Sequence, residues 1–179
     1  MNKKLLILDL DETLIFANET PLEYESDFPI GQFFVYKRPY LQEFIEFCLE
    51  NFEVAVWTSS TRNYATKIVE ELFPNPNELV FLWTRGRCTI SYDEEERENC
   101  YEKKMKKIRR RGYNLKQVIV VDDSPEKWRN SYGNLVLVKP FFGEPDDNEL
   151  QKLIVYLEKL KSAENVRKIE KRNWKNRIG

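Results

Sequence analysis

Histidine is absent from this 179-residue chain, and cysteine is scarce, with single residues at positions 48, 88 and 100. Without histidine, the chain cannot form a Ser-His or Cys-His hydrolase pair or a histidine-based zinc site. The three cysteines are widely separated and form no C-x-x-C pair, which disfavours a disulfide framework and indicates a reducing compartment. If this chain is an enzyme, we expect it to use carboxylates, lysines, hydroxyls and a hard metal ion.

Long hydrophobic runs and a strong net charge are missing as well. No apolar run approaches the length of a membrane span, and the first apolar run is short and ends in acids, unlike a signal peptide. The net charge of −1 provides no overall field for nucleic acid or an anionic membrane. We therefore expect one monomeric, intracellular domain without membrane association, in the cytoplasm or, in a eukaryote, also in the nucleus.

Buried-strand runs and helical stripes alternate along the chain. Strand-like runs occupy residues 5–8, 52–57, 79–84, 117–121 and 135–138, and apolar stripes at helical spacing occupy 40–51, 64–72 and 150–160. This order predicts an α/β fold with a mostly parallel central sheet flanked by helices. Residues 17–38 predict a small β-hairpin insertion, too short for a large cap, and residues 162–179 predict a basic, helical C-terminal tail.

Polar clusters follow three of the predicted strands. Asp9 and Asp11 end the first, residues 58–61 follow the second, and Asp122 and Asp123 end another. One such cluster is explained by turn chemistry, but in an open α/β sheet ligands bind beyond the carboxyl ends of the strands. Three clusters at one edge therefore indicate a site.

The residue types in these clusters suit phosphate chemistry. Neighbouring carboxylates repel one another unless a cation lies between them, and Mg²⁺ binds one or two carboxylates together with phosphate oxygens. The hydroxyls of Thr58 and Ser59 can donate hydrogen bonds to a phosphoryl group, and Lys103 or Lys104 can neutralise developing charge.

Six sequence blocks in this order resemble the haloacid-dehalogenase-like phosphatase superfamily, and within it the small C-terminal-domain (CTD) phosphatases, or NLI-interacting-factor-like family. The blocks are LDLDETLI (8–15), KRP (37–39), WTSS (57–60), RGRC (85–88), YEKKMKKI (101–108) and VDDSP (121–125). Glu12 stands in the first block where many superfamily relatives have glycine. The resemblance extends over nearly the whole chain and implies a single phosphatase domain at 1–161.

The resemblance also implies roles for individual residues. Asp9 would be the nucleophile that forms an aspartyl phosphate, and Asp11 the general acid and base. An ordinary aspartate has a pKa of about 4 and needs no activating base at pH 7. The expected ligands and contacts fall into three groups: Asp9, Asp11, Asp122 and Asp123 for Mg²⁺; Thr58, Ser59 and Lys103 for phosphate; and Arg85, Phe33 and Phe34 for substrate.

Three of these assignments have an alternative. Lys104 stands where relatives usually have an acid, so Lys104 competes with Lys103 as the motif lysine. Arg85 could instead form a structural salt bridge, and Phe33 and Phe34 could simply pack the insertion onto the body of the domain.

The substrate class is the most open question. An insertion of about 22 residues cannot close over the site, which favours a phosphorylated protein or peptide and hence a serine/threonine phosphatase. The basic segments 103–111 and 161–179 leave a nucleic-acid 3′-phosphate open as an alternative, together with a small metabolite, although nucleic acid is not favoured. A non-enzymatic scaffold of the same family is a third possibility, and the intact acidic motifs argue against it.

Overall fold

The computed structural model describes residues 3–93 and 98–178; residues 1, 2, 94–97 and 179 lie outside the described residues. The strands are β1 (Lys4–Leu8), β2 (Ile15–Asn18), β3 (Phe28–Ile30), β4 (Phe33–Lys37), β5 (Phe52–Trp57), β6 (Leu82–Trp83), β7 (Thr89–Asp93), β8 (Glu98–Glu102), β9 (Val118–Asp122) and β10 (Leu135–Leu137). The helices are α1 (Leu41–Asn51), α2 (Arg62–Leu72), α3 (Lys106–Arg110) and α4 (Glu149–Lys161).

The central sheet has five strands in the order β10-β9-β1-β5-β6, and every neighbouring pair is parallel. β1 lies in the middle and is buried along its whole length, as expected for a strand covered on both faces. The predicted α/β fold with a mostly parallel sheet is confirmed.

The two faces of the sheet pack against different layers. On one face, Leu6 and Leu8 of β1 belong to the larger core cluster with residues of α1, α2 and α4. On the other face, Leu5 and Ile7 pack in a second cluster that includes Ile108 of α3. This alternation follows from the two-residue period of a strand. Within the described ranges, no helix has the length and apolar character needed to cross a bilayer.

The insertion after the first strand is a small antiparallel sheet in the order β2-β4-β3. β3 and β4 form the predicted hairpin, and β2 adds a third strand to it. Gly31 in the hairpin turn has a φ of 59°, a left-handed conformation that glycine adopts without steric cost.

The C-terminal tail, which was expected to be helical, contains two short 3₁₀ helices and, among its described residues, no α-helix. Residues 166–168 and 174–177 form two short 3₁₀ turns. The Asn165 side chain accepts a hydrogen bond from the Arg167 backbone N–H, and Asn173 has a φ of 54°, so both asparagines favour turns over a continuing helix. Val166 and Trp174 are buried in the larger core cluster, which anchors these turns to the domain.

A buried ion pair connects the end of the insertion to the loop after β10. Arg38 is 1% exposed, and its Nε and Nη2 each lie 2.9 Å from a carboxylate oxygen of Asp147. Its guanidinium also donates to the backbone carbonyls of Thr13 and Lys139 at 3.0 and 2.9 Å. Burial opposes ionisation of Asp147, but hydrogen bonds from Arg38 and from the Glu149 backbone lower the pKa of Asp147 below its ordinary value.

We expect Arg38→Met to lower the free energy of unfolding by about 3 kcal/mol at pH 7, because it leaves a mostly buried carboxylate without its partner. Since the pKa of Asp147 is lowered in the folded state, the contribution of the pair is complete above the ordinary aspartate pKa of about 4 and is lost as pH falls through the folded value. Urea denaturation of both proteins at pH 7 and at pH 3 measures this. A loss below about 1 kcal/mol at pH 7 would contradict the assignment.

Candidate active site at the carboxyl edge of the sheet

The parallel sheet brings the ends of three strands together. The Asp9 backbone N–H donates to the Val121 carbonyl at 3.0 Å, so the ladder between β1 and β9 continues as far as Asp9. In the same way, the Thr58 N–H donates to the Trp83 carbonyl at 2.9 Å and holds the start of the loop after β5. The sheet therefore fixes the backbone of Asp9 and Thr58 at one edge, beside the end of β9.

Lys103 lies buried between two acids. Its Nζ is 2.9 Å from Asp9 Oδ1 and 2.5 Å from Asp122 Oδ2, and the residue is 1% exposed. The Lys104 Nζ pairs with Glu102 at 3.0 Å and not with these two acids, and the Lys104 side chain is 34% exposed. The geometry therefore supports Lys103, and not Lys104, as the lysine of the site.

The surroundings of Asp9 change the pKa of its carboxyl group. Burial, followed by the charge of Asp122, raises the pKa of Asp9 to about 7, although Lys103 and Lys127 act in the opposite direction. A carboxylate of this kind is not fully ionised at pH 7 without added positive charge. The expectation of a fully ionised Asp9 thus depends on a further cation at the site.

Lys127 is a second cation at the site that sequence reasoning missed. Its Nζ lies 3.9 Å from Asp9 Oδ2, and its side chain is 19% exposed. Burial alone would lower the pKa of Lys127, but Asp9, Asp122 and Asp123 raise it above its ordinary value. The available signal was its position on the short 3₁₀ turn directly after the VDDSP block.

Asp11 is oriented by two hydroxyl groups that sequence reasoning also missed. Ser60 Oγ donates to Asp11 Oδ2 and Tyr64 Oη donates to Asp11 Oδ1, both at 2.6 Å. Burial and the nearby Asp11 carboxylate raise the pKa of Tyr64, so Tyr64 stays protonated and remains a donor. The available signal was their position, since Ser60 lies in the loop after β5 and Tyr64 in the first turn of α2, at the carboxyl edge of the sheet.

Thr58 and Ser59 begin the loop after β5. Thr58 is 1% exposed, and its Oγ1 accepts the Ser60 backbone N–H at 3.0 Å, which leaves the hydroxyl able to donate. Ser59 is half-buried, and its carbonyl accepts a hydrogen bond from Arg85 Nε at 2.8 Å. The Arg85 guanidinium lies over the ring of Tyr101 at 4.9 Å and is exposed at the rim. Arg85 is therefore near the site and free to face solvent.

Three carboxylates converge closely enough to hold a metal ion. Within the described part of the chain, Asp9, Asp122 and Asp123 each offer an oxygen, and these oxygens lie within 4.8 Å of one another. Asp9 Oδ1 is held by Lys103 Nζ at 2.9 Å, whereas Asp9 Oδ2 lies 3.9 Å from Lys127 Nζ, beyond hydrogen-bond distance. A donor set made only of oxygens fits a hard divalent cation such as Mg²⁺.

Asp122 and Asp123 are not equivalent in this cluster. Asp122 already accepts Lys103 Nζ, Trp128 Nε1 at 2.8 Å and the Ser124 backbone N–H at 2.9 Å, and it is fully buried. Asp123 is half-buried and accepts hydrogen bonds from Thr13 Oγ1 and Ser124 Oγ at 3.0 and 3.1 Å. Asp122 therefore anchors Lys103, while Asp123 is better placed for a metal.

The two phenylalanines of β4, Phe33 and Phe34, lie on opposite sides of the strand. Phe33 packs edge-on against Tyr64 with ring centroids 6.0 Å apart, which places it beside the residue that orients Asp11. Phe34 is its neighbour on β4 and faces the other side of the strand, the side of Tyr36. The structure brings Phe33, but not Phe34, to the site.

Glu12 forms the tight turn between the first strand and the insertion. Its φ of 57° lies in the left-handed region, which favours glycine, the residue that stands here in many superfamily relatives. Hydrogen bonds from the Glu12 N–H to the Ile15 carbonyl and from the Phe141 N–H to the Glu12 carbonyl, both 2.8 Å, hold this conformation.

We expect Lys103→Met to lower the free energy of unfolding by about 3 kcal/mol, because it leaves Asp9 and Asp122 buried without their shared cation. The matched control is Lys104→Met, which removes the same charge from the next residue and should cost less than about 1 kcal/mol. Urea denaturation without added metal compares the two variants. Equal losses would contradict the placement of Lys103 between the acids.

Several known proteins have sequences similar to this chain. "CTD small phosphatase-like protein 2" of Dictyostelium discoideum is 32% identical over 90% of this chain, which spans 28% of that protein. "Probable C-terminal domain small phosphatase" of the same organism is 33% identical over 95% of this chain, which spans 55% of that protein. "CTD nuclear envelope phosphatase 1" of Xenopus laevis is 28% identical over 97% of this chain and 73% of its own length.

The fold also has counterparts among solved structures. The fission yeast RNA polymerase II CTD phosphatase Fcp1, solved with beryllium fluoride, superposes with a TM-score of 0.61 at 15% identity, over 98% of this chain and 61% of that one. The family model described as "NLI interacting factor-like phosphatase" matches residues 4–167. The chain belongs to the NLI interacting factor-like phosphatase family.

Proposed function

We propose that this protein is a Mg²⁺-dependent phosphomonoester hydrolase that works through an aspartyl phosphate on Asp9. The observation that carries the proposal is the arrangement around Asp9: a buried carboxylate beside Lys103, with Asp123 and the oriented Asp11 at the same edge of the sheet. This combination supplies a nucleophile, a metal site and a proton carrier within one cluster.

In the first step, an Asp9 oxygen attacks phosphorus, the bond from phosphorus to the leaving oxygen breaks, and Asp11 protonates that oxygen. In the second step, Asp11 takes a proton from a water molecule that attacks the aspartyl phosphate, which releases phosphate and restores Asp9. Ser60 and Tyr64 keep the Asp11 carboxyl in one orientation through both steps.

Positive charge surrounds the reacting group. Asp9, the Asp11 backbone carbonyl and Asp123 would hold Mg²⁺, which supplies positive charge for the carboxylates and the phosphoryl oxygens. Lys103 and Lys127 approach Asp9 from the protein side and help to keep it ionised. Thr58 and Ser59 donate hydrogen bonds to phosphoryl oxygens, with Thr58 held rigidly by its hydrogen bond from Ser60.

The proposed substrate is a phosphoserine or phosphothreonine in a protein. Two features support a bulky substrate: the insertion is a small three-stranded sheet, and Arg85 and Phe33 lie at the rim, where residues next to the phosphorylated one would pass. Several relatives are named as CTD phosphatases, which supports a peptide substrate over a metabolite. Some relatives are named as nuclear envelope phosphatases, so a nuclear location is as consistent as a cytoplasmic one.

Removal of the metal tests the chemistry. We expect exhaustive chelation to abolish hydrolysis of an aryl phosphate and added Mg²⁺ to restore it. Asp9→Asn should reduce kcat by at least about 10⁴-fold, because the amide is nearly isosteric but cannot act as the nucleophile. The Asp9→Asn protein should also fail to bind beryllium fluoride, which the wild type should bind in the presence of Mg²⁺. Activity that survives chelation would contradict the proposal.

A pair of neighbouring substitutions tests the substrate class. Phe33→Ala should lower kcat/KM for a phosphoserine peptide about tenfold, because it removes an apolar contact beside Tyr64, and should affect an aryl phosphate much less. Phe34→Ala is the matched control and should leave the ratio of peptide to aryl phosphate unchanged. If sugar phosphates or 3′-phosphorylated oligonucleotides exceed every phosphopeptide in kcat/KM, the protein phosphatase assignment is wrong.

A further inference from the structure

A long groove runs from the candidate active site along the outer edge of β10. Its volume is about 1120 Å³, and Asp123 and Pro125 line the end that meets the site. The C-terminal segment 167–176 forms the opposite wall. We call this cleft the basic groove after its basic lining residues. These are Lys139, Arg167, Lys168, Lys171, Arg172 and Lys175.

The charge of the basic groove is not cancelled by its own acids. Asp123 and Glu170 are the acidic residues among its lining side chains. Arg172 pairs with Glu170 at 3.3 Å, and Lys175 pairs with Glu149 at 2.5 Å. Among the ion pairs of the described residues, none involves Arg167 or Lys168, and both side chains are exposed. The wall therefore presents two cations that remain available to an anionic ligand.

The opposite side of the basic groove is partly apolar. Tyr132 is 62% exposed and Leu137 is 42% exposed, and both line it beside the edge strand β10. A surface that combines exposed apolar side chains with unpaired cations suits a peptide that carries both acidic and apolar residues.

The groove is preformed by hydrogen bonds that hold the C-terminal segment in place. The buried Lys171 donates to the backbone carbonyls of Gly133 and Ile169 at 2.8 and 2.9 Å and also to that of Val166. Trp174 Nε1 donates to the Leu137 carbonyl at 2.7 Å. A ligand would thus meet a wall that is already ordered, which lowers the entropic cost of binding.

We propose that the basic groove binds an acidic segment of the phosphoprotein substrate, next to the phosphorylated residue in the active site. This inference rests on the proposed function, because the groove opens at Asp123. Its volume of about 1120 Å³, just above the range of about 300–1000 Å³ that is common for small-molecule pockets, leaves room for a segment of several residues. The groove then selects substrates by the charge of the sequence that flanks the phosphoresidue.

The test compares three phosphoserine peptides that differ in the residues beside the phosphoserine. The first has four glutamates on the N-terminal side of the phosphoserine, and the second has four glutamates on its C-terminal side. The third has glutamines in place of the glutamates. The groove variant is Arg167→Gln with Lys168→Gln. The control variant is Arg109→Gln with Arg110→Gln, which removes the same charge from exposed positions on α3. An aryl phosphate reports the basal activity of each protein.

We expect at least one acidic peptide to exceed the glutamine peptide about tenfold in kcat/KM, which corresponds to about 1.4 kcal/mol. The groove variant should lose this preference, the control variant should keep it, and neither should change aryl phosphate hydrolysis. The preference should also weaken in 1 M salt, where the Debye length falls to about 3 Å. Equal losses in both variants, or no acidic preference in the wild type, would overturn the proposal.

A binding measurement separates failure of the groove from failure of the proposed function. Fluorescence anisotropy of an acidic peptide with serine in place of phosphoserine does not depend on catalysis. If the wild type hydrolyses no phosphate ester but binds this peptide more tightly than the groove variant does, the proposed function fails and the groove assignment stands. If the groove variant loses binding only to a single-stranded oligonucleotide, the groove belongs to nucleic acid and the proposal is wrong.

Discussion

The buried lysine between two aspartates is the interaction on which the rest of the site depends. Lys103 pairs with Asp9 and Asp122 at once, and each of the three groups would be costly to bury without the others. The segment after β8 must therefore stay docked against the end of β9, with the Lys103 N–H bound to the Lys127 carbonyl. This docking in turn places Lys127 beside Asp9 and keeps Trp128 against Asp122.

The lysines of the protein balance only part of the negative charge at this edge. Two lysines do not offset the burial of Asp9 and its repulsion from Asp122, since the pKa of Asp9 still lies near 7. The divalent cation proposed above would complete the balance and would also bind phosphate. The proposed need for a metal thus follows from how deeply the fold buries Asp9.

Three peripheral elements of the domain lie around the site at the carboxyl edge of the sheet. The small sheet formed by β2, β3 and β4 contributes Phe33 on one side, Arg85 lies over Tyr101 at the rim, and the C-terminal segment forms one wall of the basic groove. The ion pair of Arg38 and Asp147 holds the insertion and the loop after β10 together. The proposed substrate, an extended phosphorylated chain, would approach the site between these elements.

The amino-acid sequence alone determined the parallel α/β fold, because runs such as Leu5–Leu8 are apolar at every position and alternate with helical stripes. The grouping of the aspartates at the ends of β1 and β9 was predictable as well, since the carboxyl ends of parallel strands lie at the same edge of the sheet. Contacts between segments that are distant in the sequence could be identified only from the tertiary structure. These are the pairing of Asp9 with Lys103 and not with Lys104, the position of Lys127 beside Asp9, and the hydrogen bonds from Ser60 and Tyr64 to Asp11. The tail forms 3₁₀ helices and not the expected single helix, because Asn165 and Asn173 favour turns and because Val166 and Trp174 are buried against the core.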